Sequence, residues 1–237
     1  MIDILYIIGP EAPNYDMELK CSLRTVYYHV KDWARIFITG RCPDFINKKK
    51  VILTPCENEP ASKMINHWIK VQRTIDETDI GENFVLIYDD IFFTKDVSLQ
   101  DYPFYQKGKL CEDKNGGGEY QKSIKRTKKF LTKHYQPTND YELHIPCVYN
   151  RYNFTKMRSI FEDEIKEKNP LAIRSVYGNL FHPNEPYKHD VKIRTVDDII
   201  NMEIMDQECI STTDGTFPYL AAPFIEPHIK IRSPWEK

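Results

Sequence analysis

The sequence lacks long apolar runs and clustered cysteines, and both absences narrow the possible function classes. No stretch approaches the roughly 18 apolar residues of a membrane-spanning helix, and no basic, apolar leader opens the chain. Without a CxxC pair or a secretion signal, neither a zinc cluster nor a disulfide framework is expected. We therefore predict a cytoplasmic protein with six scattered thiols, at Cys21, Cys42, Cys56, Cys111, Cys147 and Cys209.

A strong net charge is also missing. The formal charge is −2, so the chain has no overall attraction to nucleic acid or to an anionic membrane. Its 237 residues, of which 41% are hydrophobic, are enough to bury a large core without division into domains. We predict one domain over 1–237, without internal repeats.

Apolar runs and helical patterns follow one another through the first 90 residues. The runs are β-branched and continuous, as in parallel strands that are buried on both faces. We predict an α/β fold in which helices flank a mainly parallel sheet. The predicted strands are 2–8, 34–40, 48–55 and 84–90, and the predicted helices between them are 18–31 and 60–76.

The composition changes over 101–142, where no apolar run is long enough for a core strand. We interpret this range as a mobile insertion near the functional site. Within it, the basic segment 122–133 favours a solvated helix face, although it could contact a polyanionic acceptor. Apolar spacing predicts two later amphipathic helices, at 153–168 and 195–208.

Two adjacent aspartates end the fourth predicted strand, in the run FVLIYDDIFF over 84–93. Ligands of open α/β sheets bind beyond the carboxyl ends of the strands, where we expect Asp89 and Asp90 to lie. Two neighbouring carboxylates repel, and a divalent cation relieves that repulsion while it binds phosphate oxygens and water. The pair therefore indicates a metal site for a nucleotide diphosphate. The alternative is a turn in which one aspartate caps the backbone.

Three further side chains are candidates for phosphate or proton chemistry. His144, in ELHIP, is a possible ligand or general base, because histidine exchanges protons near neutral pH; otherwise it is a half-buried side chain bonded to backbone. Arg174, in AIRSVYGN, could bind phosphate through two parallel donors or pair with Glu164 or Glu167 on the surface. Asp214, in TTDGTF, could be a metal ligand, the base, or part of an Asx turn.

Three more residues are weaker candidates for contacts to a diphosphate. Arg24 lies on the first predicted helix, where an arginine is more often simply solvated. Lys63 and Asn66 open the helix predicted over 60–76, and helix N-termini favour anions.

Several segments, taken in order, resemble the blocks of the Stealth family of sugar-phosphate transferases, and YDDIFF is similar to the metal-binding strand end of GT-A nucleotide-sugar transferases. IDILYII resembles the first block, although IIGPEAPN departs from the usual turn there. The second runs from ELKCSLRTVYYHVKDWARIFITGRCPDFIN (18–47) to YDDIFF. The third resembles HIPCVYNRYNFTKMRSIFEDE (144–164) with AIRSVYGN (172–179). The fourth resembles ISTTDGTF (210–217) and RSPWEK (232–237).

The resemblance implies a GT-A-like enzyme that takes a sugar or a sugar 1-phosphate from a nucleotide sugar, with uridine diphosphate as the expected carrier. Asp89 and Asp90 would hold Mg²⁺ or Mn²⁺, Arg174 would stabilise phosphate charge, and His144 or Asp214 would be the base. The expected acceptor is a glycan or another polyhydroxyl compound. Two alternatives stay open: a phage-type enzyme that glycosylates modified bases in DNA, and a binding module without turnover.

Overall fold

The computed structural model describes residues 1–10, 16–59, 62–111, 118–134, 136–166, 170–195, 197–198, 206–218 and 230–237. Over these ranges the protein is mixed α/β, and a mostly parallel central sheet is flanked by helices, as predicted. The strand order of this sheet is β3-β2-β1-β4-β6, in which only β6 is antiparallel to its neighbour. Its strands are β1 (Ile2–Ile8), β2 (Trp33–Gly40), β3 (Ile52–Pro55), β4 (Asn83–Ile87) and β6 (Cys147–Asn150).

Side chains on the two faces of the central sheet pack against different helices. On β4, Phe84 and Leu86 pack with Trp68 of α2 (Lys63–Glu77), while Val85 and Ile87 belong to the opposite cluster. That second cluster includes Leu23 of α1 (Met17–His29). Because successive side chains of a strand point to opposite faces, these continuous apolar runs bury both faces of the sheet.

The chain order reverses between β1 and β4. From β1 the chain moves outward through β2 and β3, and it then returns through α2 to place β4 on the other side of β1. Such a reversal opens a crevice beyond the carboxyl ends of the two strands, where ligands of open α/β sheets bind. The β4 strand ends at Ile87, so Asp89 and Asp90 follow at the edge of the sheet where such a crevice is expected.

A second, three-stranded sheet begins immediately after the two aspartates and was not predicted. Its strand order is β5-β8-β7, with β5 (Ile91–Phe93) antiparallel to β8 (Cys209–Thr212) and β7 (Lys192–Ile193) parallel to β8. Ser22 of α1 donates to the Ile91 carbonyl (2.6 Å) and bonds to the Tyr6 hydroxyl (2.9 Å). These contacts hold the start of β5 against β1 and α1.

The helices in the second half of the chain differ from those that the sequence predicted. The range 101–142 contains α3 (Glu119–Lys133), whose Ile124 and Phe130 are buried in the core while its basic side chains face outward. The single helix predicted over 153–168 is wrong: α4 (Arg151–Ile160) ends before Phe161, which packs on Trp68, and α5 (Glu162–Lys166) follows. The helix α6 (Ile173–Phe181) was not predicted. Most of the helix predicted over 195–208 lies outside the described residues.

Two sequence expectations concern the environment of the chain. Within the described ranges, no helix combines the length and apolarity needed to cross a membrane. All six cysteines are free thiols.

Candidate active site

Asp89 and Asp90 join the central sheet to the second sheet, and neighbouring strands hold Asp90 in place. The Thr212 amide of β8 donates to the Asp90 carbonyl (3.2 Å). The Lys192 ammonium of β7 forms a short ion pair with Asp90 Oδ2, and both side chains are largely buried. The aspartates are therefore more than a capped turn, since one carboxylate has a specific cationic partner from another strand.

Two more carboxylates, Glu18 and Asp214, act on the aspartate pair. We call Glu18, Asp89, Asp90 and Asp214 the carboxylate cluster. Burial, followed by repulsion from Asp90 and Asp214, raises the pKa of Asp89 to about 6. Burial and the charges of Asp89, Asp214 and Asp90 raise the pKa of Glu18 to about 8, against the opposing effect of Lys192. Burial and the mutual repulsion of these carboxylates therefore both disfavour full ionisation of the cluster.

Two oxygens of the cluster have no hydrogen-bond partner although they are buried. They are Glu18 Oε1 and Asp90 Oδ1. An unpaired buried carboxylate oxygen is costly, and a cation is the group that removes the cost most directly. In the part of the chain that the structure describes, no three or more His, Cys, Asp or Glu side chains form a group that could hold a metal ion. The fit of a metal here rests on the two unpartnered oxygens, and phosphate oxygens and water would have to complete its shell.

The raised pKa values of Glu18 and Asp89 predict how stability depends on pH. Both carboxyls bind protons more tightly in the native protein than in the unfolded chain, so their contribution to the free energy of unfolding falls as pH rises between about pH 4 and pH 8. We expect Glu18→Gln to raise the free energy of unfolding at pH 8 by roughly 1 to 3 kcal/mol, and to have almost no effect at pH 4.5.

Urea unfolding at both pH values, with metal removed by a chelator, measures this effect. The matched control is Glu57→Gln, because Glu57 is exposed. Equal stabilisation by both substitutions, or a Glu18→Gln effect that is the same at pH 4.5 and pH 8, would contradict the raised pKa of Glu18.

His144 is paired with a carboxylate that the sequence analysis missed. Its Nδ1 lies 3.0 Å from Asp190 Oδ2, and its backbone amide donates to Asp190 Oδ1 (3.0 Å). Burial alone would raise the pKa of Asp190, but the hydrogen bond from His144 holds it well below its ordinary value. This contact leaves Nε2 of the half-buried imidazole as the atom that can accept a proton.

The short strand β7 connects this histidine–aspartate pair to the carboxylate cluster. Asp190 and Lys192 are two residues apart, whereas Val191 and Ile193 between and after them are buried. Lys192 is the first residue of β7, and Asp190 precedes it by two residues. Asp190 contacts His144, and Lys192 contacts Asp90.

Arg174 lies behind the site as a fully buried cation. Its Nη1 donates to the Leu143 carbonyl, next to His144, and its guanidinium carbon is 4.4 Å from the ring centroid of Tyr88, next to Asp89. Its Nε and Nη2 have no hydrogen-bond partner. The surface pairing considered for Arg174 is therefore wrong, whereas a role as phosphate clamp stays a prediction.

The weaker candidates are mostly engaged in structural contacts. Arg24 makes two hydrogen bonds to Glu236, of 2.8 and 2.6 Å, and both side chains are buried. The Asn66 amide bonds to both the amide and the carbonyl of Glu59, which fixes the chain ahead of α2. Lys63 is exposed at the first residue of α2. A diphosphate contact by any of the three stays a prediction.

Two side chains of α2 approach the site and were also missed. Lys70 is buried, and it donates to the Ile8 carbonyl (2.6 Å) and to Asn58 Oδ1 (2.5 Å). His67 Nδ1 lies 3.2 Å from the Tyr88 hydroxyl, and burial, with the charges of Arg174 and Lys70, lowers its pKa to about 3. An uncharged imidazole therefore lies against Tyr88, and a buried ammonium lies at the end of β1.

Comparison with known proteins gives distant structural likenesses. No protein-family model matches the chain, and no curated protein matches it, so the Stealth resemblance stays a prediction. The glycosyltransferase GlyE of Streptococcus pneumoniae TIGR4, in its apo form, is 10% identical with a TM-score of 0.47; the match covers 97% of this chain and 60% of GlyE. A glycosyltransferase involved in glycosylation of the PBCV-1 major capsid is 12% identical with a TM-score of 0.43; the match covers 97% of this chain and 99% of that enzyme. These likenesses are too distant to assign an activity.

Proposed function

We propose that the protein is a metal-dependent transferase of GT-A type that moves a sugar or a sugar 1-phosphate from a nucleotide sugar to a hydroxyl acceptor. The carrying observation is the carboxylate cluster beyond β1 and β4, where the chain order reverses. This end of the sheet suits a nucleotide, and a bound cation would relieve the repulsion between the carboxylates and an entering diphosphate.

Asp89 and Asp90 are the residues that would hold Mg²⁺ or Mn²⁺. Two carboxylates are enough, because Mg²⁺ commonly takes one or two of them and completes its shell with substrate phosphates and water. When bound, the metal would neutralise charge on the departing phosphate. The unpartnered Asp90 Oδ1 supports this assignment. A uridine diphosphate sugar as the donor rests on the family resemblance.

His144 is the base that the contacts favour. With Nδ1 bonded to Asp190, Nε2 would take the proton of the acceptor hydroxyl while its oxygen forms the new bond. If that oxygen attacks the anomeric carbon, the bond from carbon to the diphosphate breaks; if it attacks the sugar-bearing phosphorus, the diphosphate bridge breaks. Asp214 is the alternative base, and both routes belong to the proposal.

Arg174 would contribute through its charge. It lies in a desolvated environment behind Tyr88, and in such surroundings a fixed cation acts strongly on negative charge that develops nearby. Its two unpartnered donor nitrogens support a functional reason for keeping a charge there.

A glycan or another polyhydroxyl compound is the acceptor that we propose, in the cytoplasm, where free cysteines persist. Modified DNA is the alternative, and the exposed lysines of α3 are the observation that favours it. The net charge of −2 disfavours it. Salt-dependent binding to duplex DNA would restore this alternative.

A thermal-shift screen of nucleotide sugars, with and without Mn²⁺, tests the donor assignment. A ligand at about 100 times its Kd stabilises the native state by about 2.7 kcal/mol, which is roughly 5 to 10 °C for a chain of this size. We expect such a shift for a uridine diphosphate sugar with Mn²⁺, and little shift without the metal.

The absence of any shift across the nucleotide sugars would contradict the proposed function. Hydrolysis of the bound donor in the same samples separates an enzyme from a binding module, because tight binding without hydrolysis or transfer favours the module.

A further inference from the structure

Lys192 is the cation in direct contact with the proposed metal site. Its ammonium pairs with Asp90 Oδ2, and 11% of the lysine side chain and 20% of the aspartate side chain are exposed. The backbone of Lys192 is held by the pairing of β7 with β8, opposite Ser211. The lysine is therefore built into the second sheet, and its flexible side chain reaches across to the end of the central sheet.

The position of this ammonium conflicts with a bound divalent cation. Asp90 cannot give its charge fully to the metal while Lys192 neutralises it, and the two cations would repel at such short range. A divalent cation on the unpartnered Asp90 Oδ1 would therefore repel the ammonium on Oδ2 and favour its release from Asp90. The donor diphosphate, bound by the same metal, is then the nearest new anion, and lysine is a flexible point charge suited to phosphate.

Other cations near the site are held by other partners. Arg24 is bonded to Glu236, and Lys70 is held by the Ile8 carbonyl and by Asn58. Arg174 lies behind Tyr88. Of these four cations in the described part of the chain, Lys192 is the one that pairs with a proposed metal ligand.

We infer that Lys192 is a phosphate clamp that is stored on Asp90 in the ligand-free protein and passes to the donor diphosphate when the metal binds. This inference rests on the proposed function. Before the metal binds, Lys192 thereby neutralises part of the negative charge of the carboxylate cluster. After the metal binds, it neutralises phosphate charge that the metal leaves uncompensated.

The test uses binding rather than activity and compares Lys192→Met with the wild type. Free Mn²⁺, counted by electron paramagnetic resonance, reports metal affinity, and calorimetry reports the affinity for UDP at saturating Mn²⁺. We expect Lys192→Met to bind Mn²⁺ alone about fivefold more tightly, because the competing ammonium is gone. We expect the same variant to bind UDP with Mn²⁺ about tenfold or more weakly, because the clamp is lost.

Two further variants control the experiment. Lys192→Arg keeps the charge and should stay within about threefold of the wild type in both measurements. Lys188→Met removes a nearby lysine that pairs with Glu208 (3.7 Å) and should change neither affinity. Circular dichroism and Tm establish that each variant is folded.

The outcomes separate the clamp from the function on which it rests. If the wild type binds neither Mn²⁺ nor UDP, both are refuted. Suppose that the wild type binds both ligands. If Lys192→Met then has unchanged affinities, or binds Mn²⁺ without UDP more weakly than the wild type, the proposed transfer of Lys192 from Asp90 to the diphosphate is wrong and the proposed function stands. If Lys192→Met does not fold, two other measurements replace it: the affinities of Lys192→Arg, and the binding of pyrophosphate to the wild type in the presence of Mn²⁺. A wild type that does not bind pyrophosphate would overturn the clamp.

Discussion

Replacing Asp90 with asparagine should reduce turnover by about a thousandfold or more while the fold persists. The side chain keeps its shape but loses the charge that would hold the metal, and metal-based stabilisation of a departing phosphate amounts to several kcal/mol. The fold should persist because the substitution removes one negative charge from a crowded cluster. An asparagine oxygen can still accept a hydrogen bond from Lys192.

Two measurements check this expectation: hydrolysis of the nucleotide sugar identified by the thermal-shift screen, and Mn²⁺ binding. Asp101→Asn is the matched control, because Asp101 is exposed. Retention of most activity and of Mn²⁺ affinity by Asp90→Asn would show that the metal assignment is wrong. Loss of both in the Asp101 variant as well would indicate an effect of lost surface charge instead.

The second large effect is expected at Arg24, and it concerns stability. Arg24→Met removes one partner of a buried pair with two hydrogen bonds and leaves the Glu236 carboxylate without its principal counter-charge. Breaking such a pair from one side costs about 3 to 5 kcal/mol. The exposed pair of Arg73 with Glu77 provides the control, since Arg73→Met should have a much smaller effect on stability.

Urea unfolding measures both costs, and UDP binding with Mn²⁺ by the folded Arg24 variant separates two roles. Unchanged UDP affinity together with a large loss of stability assigns Arg24 to the attachment of the C-terminal segment. Full stability with weakened UDP binding would restore the diphosphate contact that the sequence suggested.

The sequence predicted the first half of the fold well because the signals there are local. Four apolar runs gave β1 to β4, and the helical stripes gave α1 and α2 within a few residues of their ends. Continuous apolar runs also predicted strands buried on both faces, and hence a mainly parallel sheet. In the small second sheet, β7 has two residues and β5 has three, so neither shows a periodicity.

The ion pairs and hydrogen bonds within the candidate site could not be predicted from the sequence, because their two partners come from distant segments. Lys192 and Asp90 are 102 residues apart, and His144 and Asp190 are 46 apart. No local pattern around the dipeptide of Lys192 and Ile193 indicates an ion pair. Glu18 did carry a signal, as an acid in the first turn of the helix that follows β1, and we missed it.

The arrangement of the two sheets gives the dipeptide of Asp89 and Asp90 a mechanical role. The chain leaves the central sheet at Ile87 and enters the small sheet at Ile91, so these carboxylates form part of the joint between the sheets. A ligand bound by both aspartates would restrict the movement of one sheet relative to the other. Amide hydrogen exchange across β5 and β8 should then slow upon ligand binding, even where no strand residue touches the ligand.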